Sequence, residues 1–166
     1  GGMDVLLDIN PSFGVDALAG LNIFAGGSRT EQNGVIGSSR GDREEVTAGA
    51  TFAYGPVTVG YQRTYEGTGL AAAETVQHYQ NNAFGISFNI NDDLSISYGE
   101  MESTKHITNN TGNNKFITTA QSIQLAYSMG GMSVKIAETD VDDATYANGG
   151  TASDFEATTV ALTLAF

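Results

Sequence analysis

Apolar and small polar side chains alternate along most of this chain, most cleanly at its C-terminal end. In an extended Ala157–Phe166 segment, Val160, Leu162, Leu164 and Phe166 share one face. Thr159, Ala161, Thr163 and Ala165 share the other, because successive side chains of a strand point to opposite sides. A greasy face backed by a small, mildly polar one suits a strand between lipid and a wet or packed lumen.

The same alternation recurs in units of strand, tight turn and strand. Val46, Ala48, Ala50, Phe52 and Tyr54 lead to a turn at Gly55-Pro56, and Val57, Val59 and Tyr61 resume the apolar face. Phe84, Ile86, Phe88 and Ile90 lead to Asn91-Asp92-Asp93, then Leu94, Ile96 and Tyr98. Ile123, Leu125, Tyr127 and Met129 lead to Gly130-Gly131, then Met132, Val134 and Ile136. Gly, Pro, Asn and Asp are the residues that supply tight-turn geometry. Val5, Leu7 and Ile9, then Leu21, Ile23 and Ala25, predict two less regular strands upstream, for about nine in all. Long polar loops are expected at about Gly67–Gln80, His106–Thr118 and Asp142–Asp154, with a short helix over Leu70–Tyr79 favoured by Ala71, Ala72 and Ala73.

Even strand spacing predicts a single all-β domain over residues 1–166, a sandwich or a barrel. Three features favour an antiparallel transmembrane β-barrel. Connections alternate short and long, as in outer-membrane barrels. Charge is expected in the loops, leaving Lys135 alone in the middle of the last seven strands; a charge facing lipid at mid-membrane costs about 2–4 kcal/mol. Aromatic residues sit near strand ends, Tyr54, Phe88, Tyr127 and Phe166 on the turn side and Tyr61, Tyr65 and Phe84 on the loop side, as two interfacial girdles would. A soluble sandwich also alternates, but its outer face normally carries many Lys, Glu and Arg. Here the second face is Gly, Ala, Ser, Thr, Asn and Gln.

Composition narrows the function. The chain carries a net charge of −12, with charged residues at only 16%, below the roughly 25% of soluble domains. The acidic balance argues against a nucleic-acid partner. With no Cys, disulfides and thiolate metal sites are ruled out. No run approaches the ~18 apolar residues of a transmembrane helix. Gly1-Gly2-Met3-Asp4 shows no secretory leader, so a mature, truncated or partial chain is expected.

The hairpin VTAGATFAYGPVTVGYQ (Val46–Gln62), the segment NNAFGISFNINDDLSISYGE (Asn81–Glu100) and the terminal ATTVALTLAF together resemble the trimeric general porins of α-proteobacteria. The resemblance is one of pattern over nearly the whole chain, and the closing Phe is a habitual signature of outer-membrane barrels. It implies a sixteen-stranded barrel of about twice this length, with this chain as its C-terminal half. It further implies a homotrimer in the outer membrane of a Gram-negative bacterium, in contact with lipids and lipopolysaccharide, passing small hydrophilic solutes and ions. The constriction loop of that family belongs to the N-terminal half. About nine strands leave an open edge, and an eight-stranded barrel must fill its interior with side chains. The small residues here suit a wide barrel better.

Pore-lining candidates are Lys135, Arg63, Arg43, Gln62 and Gln124, while Arg29 and Arg40 flank a loop near the mouth. Lys135 has lumenal parity; Arg63 shares parity with Val59 and Tyr61, so it is expected above the membrane band, snorkelling. The acidic total implies a mouth that favours cations, screened by salt within about 8–10 Å. No catalytic constellation emerges, since His78 and His106 fall in separate expected loops. Asp140-Val-Asp142-Asp143 begins like a calcium loop, yet Thr145 and Thr151 stand where Gly and Glu belong. No cofactor is therefore expected, with a looser surface Ca²⁺ site left open. Asn109-Asn110-Thr111 forms a sequon of no expected consequence. The alternatives to a diffusion porin are a solute-selective channel, a non-conducting structural or adhesive barrel, and a soluble β-protein.

Overall fold

The computed structural model of the protein describes residues 1–11, 13–32, 41–70, 75–109, 112–146 and 154–164. Nine strands follow one another: β1 (Gly2–Ile9), β2 (Leu21–Thr30), β3 (Arg43–Tyr54), β4 (Val57–Gly67), β5 (Thr75–Asn89), β6 (Leu94–Asn109), β7 (Gly112–Met129), β8 (Met132–Asp142) and β9 (Phe155–Leu164). Each pairs antiparallel with its neighbours in the chain, giving one open sheet ordered β1 to β9. A single turn of 3₁₀ helix, Asp16–Leu18, lies between β1 and β2. No helix of the described residues is long and apolar enough to cross a membrane, which says nothing of strands.

The tight turns at one end form where expected. Gly55 and Gly130 take φ of +57° and +58°, a conformation that glycine reaches without a Cβ penalty. In the β5–β6 turn, Asn91 Oδ1 accepts from the amides of Asp93 and Leu94, each at 2.9 Å.

The opposite end differs from the expectation of long loops. β4 runs to Gly67 and β5 begins at Thr75, while β6 and β7 reach Asn109 and Gly112. Gly67 and Thr75–Gln80 of the first expected loop, and all the described residues of His106–Thr118, are therefore strand. Thr75–Tyr79 is extended rather than helical, residues 71–74 of that segment lying outside the described residues. The reason is ladder pairing on both sides: His78 is opposite Gly67 on β4 and His106 on β6. Thr75, Val76 and Tyr79 also favour extended backbone.

The described residues form no hydrophobic core. Among the described residues Val141, 9% exposed, is the one buried apolar side chain, whereas Val160 is 67% and Leu162 60% exposed. The apolar face of the sheet is thus a continuous exposed surface, far beyond the scattered exposed apolar residues usual in soluble monomers.

Cross-strand register shows how that surface is laid out. Val57, Phe88, Ile96, Leu125, Ile136 and Val160 form one row from β4 to β9. The row two residues nearer the loop end reads Val59, Ile86, Tyr98 and Ile123, then Glu138 and Thr158. The next reads Tyr61 and Phe84, then Glu100, Gln121, Asp140 and Glu156. The apolar band is therefore oblique to the rows. Its loop-side edge passes through Val46 on β3, Phe84 on β5, Tyr98 on β6, Ile136 on β8 and Val160 on β9. Val46 lies in the row of Ile117, and Val160 in the row of Leu125 on the same strand. The edge thus drops eight residues, 117 to 125, over six strand steps, β3 to β9. At about 3.3 Å per residue and about 4.8 Å per strand, that slope is roughly 43°. The turn-side edge descends in the same sense, from Tyr54 on β3 to Leu164 on β9.

Candidate functional site

The face opposite the apolar band is built from small side chains. Across the middle of the sheet it presents Thr51, Gly60, Gly85, Gly99, Ser122, Thr139 and Ala157. A shallow trough on this face runs over Thr51, Thr58, Gly60, Gln62, Ala83 and Gly85. At Gly49 an added Cβ would run into the Phe24 ring and the Tyr61 carbonyl, so glycine is what lets the Phe24 ring lie across this strand.

Four of the five pore-lining candidates stand on this face, Gln62 and Lys135 exposed, Gln124 half-buried and Arg43 at the loop end. Gln62 donates from Nε2 to Thr47 Oγ1 at 3.0 Å. Gln124 lies between Ser97 and Ala137. Lys135 is exposed between Ala126 and Ala161, and no ion pair among the described residues includes it. Arg43 shares the face but is held at the loop end by Glu66 at 2.6 Å and Glu45 at 2.8 Å. Arg63 lies on the apolar-parity face, between Ala48 and Asn82 and just past the band's edge. Arg29 is engaged by Asp42 at 2.6 Å, which holds its guanidinium above its ordinary pKa through that hydrogen bond and charge. Arg40 lies outside the described residues.

The expectation that loops hold the charge is corrected by the longer strands. Glu100, Glu102, Lys105, Glu138, Asp140 and Glu156 are all strand residues. Glu100, Glu102, Glu138, Asp140, Asp142 and Glu156 stand on the apolar-parity face, past the oblique edge. Lys105 and Lys135 stand on the small face. From β5 to β9 the small face carries no carboxylate among the described residues.

Of the expected girdles, Tyr54, Phe88 and Tyr127 lie toward the turn end of the apolar face. Tyr61 and Phe84 are cross-strand partners on its loop-side edge. Tyr65 stands beyond that edge, its ring 5.2 Å from the His78 ring. Phe166 lies outside the described residues.

The loop end brings together two groups that sequence reasoning kept apart. His78 and His106 are direct cross-strand partners with ring centroids 4.0 Å apart, not residues of separate loops. Burial first, and then the charge of Lys115, lowers the pKa of His78. Burial, then His78 and Lys115, lowers that of His106. On the small face, the Lys105 ammonium sits 5.2 Å from the Phe116 ring centroid and 4.8 Å from that of Tyr146. Tyr146, at φ +56°, lies 2.5 Å through its hydroxyl from Ser103 Oγ, and Thr118 Oγ1 donates to the Asp143 carbonyl at 2.6 Å. This folded-in segment accounts for Ser103 and Thr118, two of the few buried residues of the described chain. A register prediction for the β5–β6 hairpin, which turns at Asn91–Asp93, would have found the histidine pair; no local signal marks the Tyr146 contact.

In the acidic segment Asp142 accepts from Thr119 Oγ1, and the Asp143 amide donates to Asp154. Among the described residues no group of three or more His, Cys, Asp or Glu is placed to hold a metal. Of the sequon, residues 110 and 111 lie outside the described residues. Comparison with protein-family models and with curated proteins finds no match to this chain.

Proposed function

We propose that this sheet is part of the wall of an outer-membrane general porin, a water-filled β-barrel for passive diffusion of small hydrophilic solutes and ions. The observation that carries the reading is the oblique apolar band on a coreless sheet. Strands that cross a membrane in a barrel tilt by about 35–45°, so a band level with the bilayer must cut obliquely across the register. The observed slope falls within that range. A soluble sandwich has no reason for such a slope, and it would bury this face rather than expose it.

The opposite face fits a wide aqueous lumen, because its small side chains would leave a narrow barrel unfilled. Nine antiparallel strands leave β1 and β9 running in the same direction. Antiparallel closure therefore needs an odd number of further strands, and seven would complete sixteen. Solutes are sieved by size, with an electrostatic bias from wall charges. Transport needs no chemical step or cofactor. The partners are lipid, lipopolysaccharide and identical subunits of a homotrimer.

Single-channel recording of the detergent-solubilised native protein, beside its intact mass, tests this. Stepwise conductance in triplets, with a subunit mass near twice that of this chain, supports the reading. A protein that stays soluble without detergent and forms no channels overturns it.

A further inference from the structure

The acidic composition favours cations only if the acids face the permeating solute. On β5 to β9 they do not. Glu100, Glu102, Glu138, Asp140, Asp142 and Glu156 all share the parity of the apolar band. The small face of these strands carries Lys105 and Lys135 as its charged residues. The carboxylates on the small face of the described strands belong to β1, β3 and β4: Asp4, Asp8, Glu45 and Glu66. Two of these, Glu45 and Glu66, are engaged by Arg43.

The two lysines are not equivalent. Lys105 lies near the loop end with its ammonium over the Phe116 and Tyr146 rings, which hold it against the wall. Lys135 lies at the level of the apolar band, for its chain neighbours Val134 and Ile136 pair with Tyr127, Leu125, Leu162 and Val160. Around it are Ala126, Ala161 and Ser133, too short to shield it. A charge on a low-dielectric wall acts more strongly than the same charge in bulk water.

We infer that the β5–β9 wall takes up the anionic groups of permeating solutes, carboxylate or phosphate, with Lys135 as the specificity-determining residue. This rests on the porin reading. The net charge of −12 then misleads, because on these strands the acids face away from the solute path.

The test is the anion-to-cation permeability ratio of the full protein in a planar bilayer under a salt gradient, for the wild type, K135Q, K135E and K135R. Each variant is first shown to keep the wild-type β-sheet circular dichroism. The ratio should fall about twofold in K135Q, fall further in K135E, and stay near wild type in K135R. Millimolar inorganic phosphate should reduce current through the wild type more than through K135Q. Channels whose ratio and phosphate response are the same in the wild type, K135Q and K135E overturn the inference and leave the porin reading standing. A wild-type protein that forms no channels overturns both.

Discussion

His78 on β5 and His106 on β6 face each other directly, their rings stacked with centroids 4.0 Å apart and planes inclined by 21°. They stand six and eight residues beyond Phe84 and Tyr98, the last apolar residues of their strands before the polar rows. Lys115 is the cross-strand partner of His106 on β7, and the Tyr65 ring covers the other side of His78. Protonating both imidazoles would align three positive charges on adjacent strands.

Both histidines have folded-state pKa values lowered from the ordinary value, by burial first and then by neighbouring positive charge. A depressed pKa means that the unfolded chain binds protons more readily. The stabilisation is therefore present above about pH 6.5 and is lost as pH falls below that value. The protection of amides in the loop-end halves of β5 and β6, taken relative to their intrinsic exchange rates, should fall as pH drops from 7.5 to 5. In H78Q/H106Q that loss of protection should disappear; its persistence would show that the pair is not its source.

Gly49 predicts a packing penalty. An added side chain meets the Phe24 ring and the Tyr61 carbonyl, and the backbone carbonyl has little room to yield. Gly49→Val should cost about 1–3 kcal/mol, read as a lower midpoint in detergent-based unfolding. Gly85, whose added Cβ would meet nothing closer than 3.8 Å, serves as the control, and Gly85→Ala should be near neutral.

The Tyr146 contact predicts local loosening. Tyr146→Ala removes a ring against Lys105, a neighbour of Tyr79 and the contact with Ser103. The cation–π part is worth about 0.5–1 kcal/mol at an exposed site. Limited proteolysis should then cut faster in the β8–β9 connection, with the unfolding midpoint little changed. Unaltered cleavage would mean that other contacts hold the segment.

The middle of each strand was legible in the sequence because apolar and small residues strictly alternate there, as in Phe84–Ile90 and Ile123–Met129. Beyond Tyr98 and before Ile123 the two faces become similarly polar, so the period vanishes although the ladder continues. That is why His106, Phe116 and Thr118 read as loop residues. Parity alone placed Lys135 and Arg63 on opposite faces, and the register agrees. The same parity would have put Glu100 and Glu102 with Tyr98 had β6 been drawn long enough. The slope of the apolar band and the meeting of His78 with His106 depend on register between strands, which no single segment encodes.

The oblique edge itself predicts a sharp contrast between two positions on one face of β7. Leu125 lies inside the band, 42% exposed in the isolated chain, and pairs with Ile96 and Ile136. Gln121, four residues nearer the loop end, pairs with Glu100 and Asp140. If the band faces hydrocarbon, Leu125→Lys should destabilise the folded protein in bilayers by about 2–4 kcal/mol. Gln121→Lys should cost about 1 kcal/mol at most, because it enters a row in which both of its cross-strand partners, Glu100 and Asp140, are carboxylates. In water the difference should shrink, since an exposed surface position tolerates Lys as readily as Leu. Equilibrium unfolding of both variants from lipid vesicles measures the contrast, and equal effects at the two positions would remove the membrane from the explanation of the band.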